Sequence, residues 1–345
     1  MVEMKAVIPL KRLLLYFAGY SGLLHLGRLA GKDRIAMFML HGIVDEQKSS
    51  LKTIRKQCSL QRFEQGVALL QKYFQFVSLG DAVSMLAGER PFQPYCAVLT
   101  FDDGYRNNYT TALPVLKKYG IPATFFVPTG HINDGRPLWF DILDAMVNSD
   151  PRQPFTLSLE NEEIIFDPID RKQMEKELFI FLYRYNHSLQ QDDIEFQDKL
   201  FSLLDNRQKQ SGVDLQAVLR ADEKTAIMDW QQVKEASEAG MTIGSHTVNH
   251  LKLSTLEPEQ IREQLQTSKK AIEKYTGKPC RYLSYPNGDF DERVARIAGE
   301  CGYHAAVTTE SHLNEVGDDL YRLSRLSFPL RAEKFHILSH IYRGK

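Results

Sequence analysis

The chain has 345 residues, 43% of them hydrophobic and 25% charged, and a net charge of −1. That balance is ordinary for a globular fold and excludes a disordered or collagen-like chain. A near-neutral chain sets up no global field for nucleic acid, so no nucleic-acid partner is expected, and the length allows one large α/β domain or two smaller ones.

The first 32 residues place Lys5, Lys11 and Arg12 ahead of the apolar run Leu13-Leu14-Leu15-Tyr16-Phe17-Ala18, with Arg28 and Lys32 behind it. His25 and Arg28 interrupt the run before the ~20 apolar residues of a membrane span accumulate. No small-x-small cleavage site follows, so no cleaved leader is expected. Residues 1–32 read as a basic amphipathic helix that either packs on the domain or lies on a membrane surface. The expected location is cytoplasmic, either free or, on the second reading, peripheral at the inner membrane face. Cys58, Cys96, Cys280 and Cys301 form no CxxC pair and match no zinc spacing, which reads as reduced, structural thiols.

From residue 33 apolar strands alternate with helices. Residues 35–40 read as a buried strand, and 60–74 as a helix capped by Ser59. Residues 97–101 form a second buried strand, 108–119 a helix stopped by Gly120, and 123–127 a third strand. This alternation calls for a parallel sheet or barrel. Residues 131–228 are too many for a connection and read as an inserted, mostly helical cap. The alternation resumes with a helix over 231–239 ended by Gly240, a strand over 241–244 and a helix over 258–275 that opens on proline. A strand over 281–284, a helix over 291–301 and strands over 305–307 and 320–326 complete it. The expected fold class is α/β, a distorted (β/α) barrel of about seven strands spanning 33–330, followed by a C-terminal helix over 331–345.

In such barrels chemistry sits at the C-terminal ends of strands. Two segments fall there: Thr100-Phe101-Asp102-Asp103-Gly104 and Ser245-His246-Thr247-Val248-Asn249-His250. Histidines at i and i+4 on one helical turn share a face and can chelate one ion. One carboxylate with two histidines makes a three-ligand open metal site, which leaves the second carboxylate to act as a base. Which aspartate takes which part is open at this point. Taken singly, the segments also fit a solvated Asp-Asp-Gly turn and two surface histidines.

Together they resemble the polysaccharide deacetylase family, the NodB-homology domain of carbohydrate esterases. Arg281-Tyr282-Leu283-Ser284-Tyr285-Pro286-Asn287-Gly288 is similar to the family's third motif. The resemblance runs from roughly residue 35 to residue 328, with the cap as the main departure. It implies that Asp103, His246 and His250 hold a divalent metal, usually Zn2+, and that Asp102 is the general base. It further implies that the backbone N–H of Asn287 stabilises the oxyanion and that Tyr285 and Pro286 line a sugar groove. Two features depart from the family pattern. Ser284 stands where the family carries an arginine that orients the base, so Arg281 or Arg325 is the expected substitute. The family's C-terminal Leu-x-His is met only by Leu338-Ser339-His340, on an amphipathic stretch that reads as surface.

The general acid is expected to be His41, in Met39-Leu40-His41-Gly42-Ile43, which resembles an early histidine of circularly permuted poly-N-acetylglucosamine deacetylases. Its alternative is a buried strand-end histidine with a backbone partner. Tyr105 flanks the Asp pair and is expected to touch substrate, and Trp139 either stacks on a sugar ring or packs in a core. The implied function is metal-dependent removal of N-acetyl groups from an amino-sugar glycan or a lipid-linked intermediate of cell-surface polysaccharide synthesis. The alternatives are an O-acetyl esterase or non-sugar amide hydrolase on the same site, or a non-catalytic carbohydrate-binding barrel.

Overall fold

The computed structural model describes residues 33–49, 51, 53, 57–149, 155–159, 162–167, 171–188, 193–211 and 214–329. The expected helices over 1–32 and 331–345, and His340, lie outside the described residues. Among the described residues no helix is long and apolar enough to cross a membrane.

Seven parallel strands form the frame: β1 (Arg34–Leu40), β2 (Cys96–Phe101), β3 (Ala123–Val127), β4 (Thr242–Ser245), β5 (Tyr282–Ser284), β6 (Ala305–Val307) and β7 (Leu326–Ser327). They pair in the order β6-β5-β4-β3-β2-β1, with β7 parallel to β1 on the side away from β2, beyond the short antiparallel strand Asn314–Glu315. Leu323 bridges Val307, while Leu326 and Ser327 pair with Phe38 and Met39. The segment 323–327 therefore joins the two edges of the curled sheet. Strands β2 and β3 are buried at every position, which is why they read as unbroken apolar runs instead of alternating ones.

The connecting helices show why the sequence marks them. In α1 (Leu60–Leu70) the Ser59 side chain accepts the Arg62 N–H, satisfying an orphan donor of the first turn. This helix stops at Leu70, short of the expected 74, because residues 71–73 turn into the short strand Gln75–Phe76 on the edge of β2. Helix α2 (Leu79–Leu86) follows. Residues 108–119 divide into a wide turn over Asn108–Ala112 and α3 (Leu113–Tyr119), which carries Pro114 in its first turn and is capped by Gly120 with φ 64°. The expected strand over 320–326 is mostly a tight turn, Leu320–Arg322. The Asp319 side chain caps it through the Tyr321 N–H, a local bond that competes with strand pairing.

Between β3 and β4 the chain builds a second layer. It holds α4 (Trp139–Ser149), an antiparallel hairpin (Phe155–Leu159 with Glu162–Phe166), α5 (Arg171–Ser188), α6 (Asp193–Ser211) and α7 (Leu215–Ala221). The hairpin was not expected. Trp139, Leu143, Phe166, Leu178, Phe181 and Phe196 form this layer's own core, apart from the barrel core. Then α8 (Trp230–Glu238), α9 (Pro258–Thr276) and α10 (Glu292–Glu300) return to the barrel. The C-terminal ends of β1, β2, β4, β5 and β7 consequently face one another beneath the helical layer.

Candidate active site

Asp102 and Asp103 follow β2 directly and point apart. Asp103 sits at φ 71° and Gly104 at φ 64°. A Cβ on Gly104 would lie 3.0 Å from the Pro128 ring, so this sharp turn requires glycine. The Asp103 carboxylate is buried, with one oxygen 3.6 Å from His246 Nε2 and 3.4 Å from His250 Nε2. Carboxylate and imidazole atoms bound at about 2.0–2.2 Å around one tetrahedral ion would be separated by about 3.3–3.5 Å. Ligand atoms from all three residues lie within 4.8 Å of one another, so these side chains fit a divalent ion. His246 Nδ1 is 2.7 Å from the Ser284 carbonyl. That bond holds the proton on Nδ1 and leaves the Nε2 lone pair aimed at the cluster.

The two histidines are not on a helical turn. They belong to an irregular loop in which Thr247 has φ 65° and His250 φ 56°. Side-chain oxygens hold this strained path. Ser245 Oγ accepts the Thr247 N–H, Thr247 Oγ1 accepts the His250 N–H, and Gln264 Oε1 accepts those of Val248 and Asn249. Four of the five non-glycine residues with positive φ among the described residues, Asp103, Thr247, His250 and Asn287, belong to the site. Each such conformation costs roughly 1–3 kcal/mol and persists only where surrounding structure enforces it.

Asp102 is clamped. Arg325 Nη1 and Nη2 donate to its two oxygens at 2.8 and 2.7 Å, and Ser284 Oγ donates at 3.2 Å. Arg325, itself 1% exposed, also donates from Nε to the Thr308 carbonyl and from Nη1 to Thr100 Oγ1. Burial alone would raise the Asp102 carboxyl. The Arg325 charge and hydrogen bonds, with His246 and His41, outweigh it and hold the carboxyl below its ordinary range. Arg281 is exposed at the other end of β5, about 10 Å along the strand from Ser284. It is therefore not the orienting arginine.

His41 ends β1, half-buried, and its charge acts on both aspartates. A cavity of about 90 Å³ above the triad is lined by His41, Tyr285, Asn287 and Thr309 from the barrel and by Trp139, Phe140, Leu182 and Tyr185 from the helical layer. Asn287 has φ 57° and Gly288 φ 71°. A Cβ at Gly288 would fall 2.1 Å from Thr309 Oγ1, so this turn too is closed to other residues. Tyr285 is a wall: it stacks on Phe290 and donates to the Tyr321 carbonyl. Pro286 is buried within its turn and lines neither cavity, contrary to expectation. Trp139 is 1% exposed, packed edge-on against Phe140, Phe181, Tyr185 and Phe196. It closes the cavity by its edge and offers no free face for stacking. The Tyr105 hydroxyl donates to Asp141 at 2.8 Å, in a neighbouring cavity.

Sequence reasoning missed the latch between the helical layer and the histidine loop. Asp193 on α6 accepts the Lys252 N–H at 2.7 Å and the Tyr185 hydroxyl at 2.8 Å. The buried Lys252 ammonium donates to the Tyr185 carbonyl at 3.0 Å, and Gln197 Nε2 reaches the His250 carbonyl at 3.4 Å. No sequence spacing links 193 to 252. Burial is the largest influence on the Asp193 carboxyl and pushes it up to about 6 from its ordinary 3.8, against partners that favour the charge. Between those values the folded chain binds more protons than the unfolded one, so stability falls as pH rises through the window. Relative to Asp193→Asn, the wild type should lose stability from about pH 4 to about pH 6 and run parallel above that. Urea midpoints measured across the range check this; a constant difference would remove the assignment.

A parallel barrel thus carries at its strand ends a buried two-histidine–carboxylate cluster able to hold a metal ion, beside a clamped second carboxylate. The family model described as polysaccharide deacetylase matches residues 89–153 and 198–306, half of the chain, and the chain belongs to that family. It is 23% identical over 253 residues to YxkH of Bacillus subtilis strain 168, which bears a polysaccharide deacetylase name; the match covers 73% of this chain and 58% of YxkH. The chain thus spans less than two thirds of that relative. It is also 35% identical over 74 residues to the peptidoglycan-N-acetylmuramic acid deacetylase PdaA of the same organism, 21% of this chain and 28% of PdaA. Two solved structures share the fold at 18% identity. One is Streptococcus pyogenes deacetylase PplD in complex with acetate (TM-score 0.57, 90% of this chain and 99% of that chain); the other is IcaB from Ammonifex degensii (TM-score 0.56, 89% and 97%).

Proposed function

We propose that this chain is a zinc-dependent deacetylase that hydrolyses the N-acetyl group of an amino-sugar glycan or a lipid-linked amino-sugar intermediate. The observation that carries this reading is the pairing of two carboxylates with separate surroundings: Asp103 between two imidazole Nε2 atoms, Asp102 in the fork of Arg325. Asp103, His246 and His250 would hold the ion, which supplies Lewis-acid polarisation of the acyl carbonyl.

The remaining steps belong to the chain's own groups. Asp102 accepts a proton from the attacking water, and Arg325 with Ser284 keeps its carboxylate from rotating. The backbone N–H of Asn287 supports the developing oxyanion. His41 donates a proton to the amide nitrogen as the C–N bond breaks. Water and amide become acetic acid and amine, with one proton taken by Asp102 and one given by His41; the acid's own proton then passes to the amine or to solvent, leaving acetate.

The test is acetate release from matched N-acetylated and O-acetylated sugars, with elemental analysis of the same samples. Activity on the N-acetyl substrate should vanish with a chelator and return with Zn2+, and His246→Ala should lose both metal and activity. Release from O-acetyl sugars alone would make it an esterase. A protein that binds no metal and releases nothing would be a carbohydrate-binding barrel.

A further inference from the structure

His246 and His250 are held by different parts of the molecule. His246 is fixed by the barrel: its N–H donates to the Val127 carbonyl of β3 at 3.0 Å and its Nδ1 faces the Ser284 carbonyl of β5 at 2.7 Å. The loop keeps barrel partners through residue 249. The Thr247 and Val248 carbonyls accept the N–H groups of Thr129 and Gly130 at 3.1 and 2.8 Å, and Gln264 of α9 accepts those of Val248 and Asn249.

At His250 the partners change. Thr247 Oγ1 accepts its N–H at 3.0 Å, but its carbonyl meets Gln197 Nε2 at 3.4 Å and its ring stands edge-on to Phe140 of α4, centroids 5.5 Å apart. The Lys252 N–H then donates to Asp193 at 2.7 Å. Asp193 and Gln197 lie four residues apart on α6, so one face of that helix takes the two backbone groups on either side of Leu251. The Gln197 contact is long, whereas a carboxylate accepting a backbone N–H at 2.7 Å is a strong bond. Asp193 is itself fully buried and fixed by the Tyr185 hydroxyl of α5 at 2.8 Å.

His250 has φ 56°, a conformation that persists only where its surroundings enforce it. Thr247 enforces the N-terminal flank and α6 the C-terminal one. A metal ligand must keep its distance to within about 0.2 Å, so a flank released at residue 252 is felt at His250 Nε2.

We infer that Asp193 is a positioning residue for the metal: it fixes His250 from the helical layer, so that the layer sets the affinity of the site and an ion in the site in turn steadies α5 and α6. The reciprocity is thermodynamic, because two events that favour the same arrangement strengthen each other by one factor. This rests on the reading of Asp103, His246 and His250 as the metal ligands.

The experiment is Zn2+ binding to the full chain stripped of metal, at neutral pH, in competition with a chromophoric chelator. Asp193→Ala should weaken binding about 10–100-fold, the cost of removing a group that orients a metal-bound histidine. Asp193→Asn keeps an oxygen for the Lys252 N–H and turns its NH2 to the Tyr185 hydroxyl oxygen, so it should recover most of that affinity. Leu178, buried in the core of the same layer, is the control: Leu178→Ala should lower the thermal midpoint and leave zinc affinity unchanged. Hydrogen exchange reads the reciprocal effect in the wild type, with no substitution at all. Saturating Zn2+ should slow exchange in α5 and α6 by a factor comparable to the affinity lost in Asp193→Ala. Undiminished affinity in Asp193→Ala, no recovery in Asp193→Asn, an equal loss in Leu178→Ala, or exchange indifferent to zinc overturns the inference and leaves the metal site standing. A wild-type chain that binds no zinc overturns both.

Discussion

Asp102→Asn should lower acetate release by about 10²–10⁴-fold while leaving the metal bound. The magnitude is that of a positioned proton acceptor, and the dissociation of the two readouts follows from the site's layout. Asp103 alone of the pair faces the imidazole Nε2 atoms, whereas Asp102 turns toward Arg325, Ser284 and the cavity. Asparagine matches the shape of aspartate but presents an NH2 to one arm of the guanidinium fork, so one of two charge-assisted bonds is lost. Elemental analysis should show unchanged metal, and steady-state kinetics a loss in kcat with little change in KM. Near-normal turnover in Asp102→Asn would falsify the base assignment; lost metal would place Asp102 among the ligands.

Arg325→Met should cost about 3–5 kcal/mol of stability as well as activity. It strands the Asp102 carboxylate, 3% exposed, without its counter-ion, and it leaves the Thr308 carbonyl and Thr100 hydroxyl short of a donor. Arg325→Lys keeps the charge but replaces a planar fork by a point charge. It should retain most stability and still lose kcat, because the carboxylate regains rotational freedom. The double variant Ser284→Arg with Arg325→Ser moves the guanidinium to the end of β5, where Arg325 Nη2 already lies 3.1 Å from Ser284 Oγ. Partial recovery of kcat over the single Arg325→Ser variant would show that Asp102 needs the fork and not a particular strand. Urea denaturation alongside kinetics separates the two effects.

The barrel was legible because its strands are buried on both faces and therefore unbroken in apolar character, and because glycines and caps punctuate the helices between them. Position in that alternation located both aspartates and both histidines at strand ends. The path of the histidine loop was not legible. Spacing i to i+4 suits a helix, but Thr247 and His250 adopt left-handed conformations imposed by Ser245, Thr247 and Gln264 side chains. Arg325 and Arg281 stood as equals in the sequence; only the sheet order, which lays β7 beside β1 and brings residue 325 under β2, distinguishes them. The helical layer was legible as an excess of length and not as a structure. The second strand of its hairpin carries no clean alternation, and its latch joins 193 to 252 through contacts that no local pattern encodes.

That latch bears on how such a chain can change over generations. A surface elaboration that touches a barrel through apolar contacts alone can be trimmed back, one residue at a time, with graded loss. Here the Lys252 ammonium and backbone N–H, two residues past a candidate ligand, take their buried partners from the elaboration itself. Losing the Asp193 carboxylate alone would take the acceptor from the Lys252 amide while Tyr185 still packs against the Lys252 side chain, a loss of about 1–3 kcal/mol incurred in one step. A change at residue 193 is therefore felt at residue 252, so the elaboration and the histidine loop vary together and not independently.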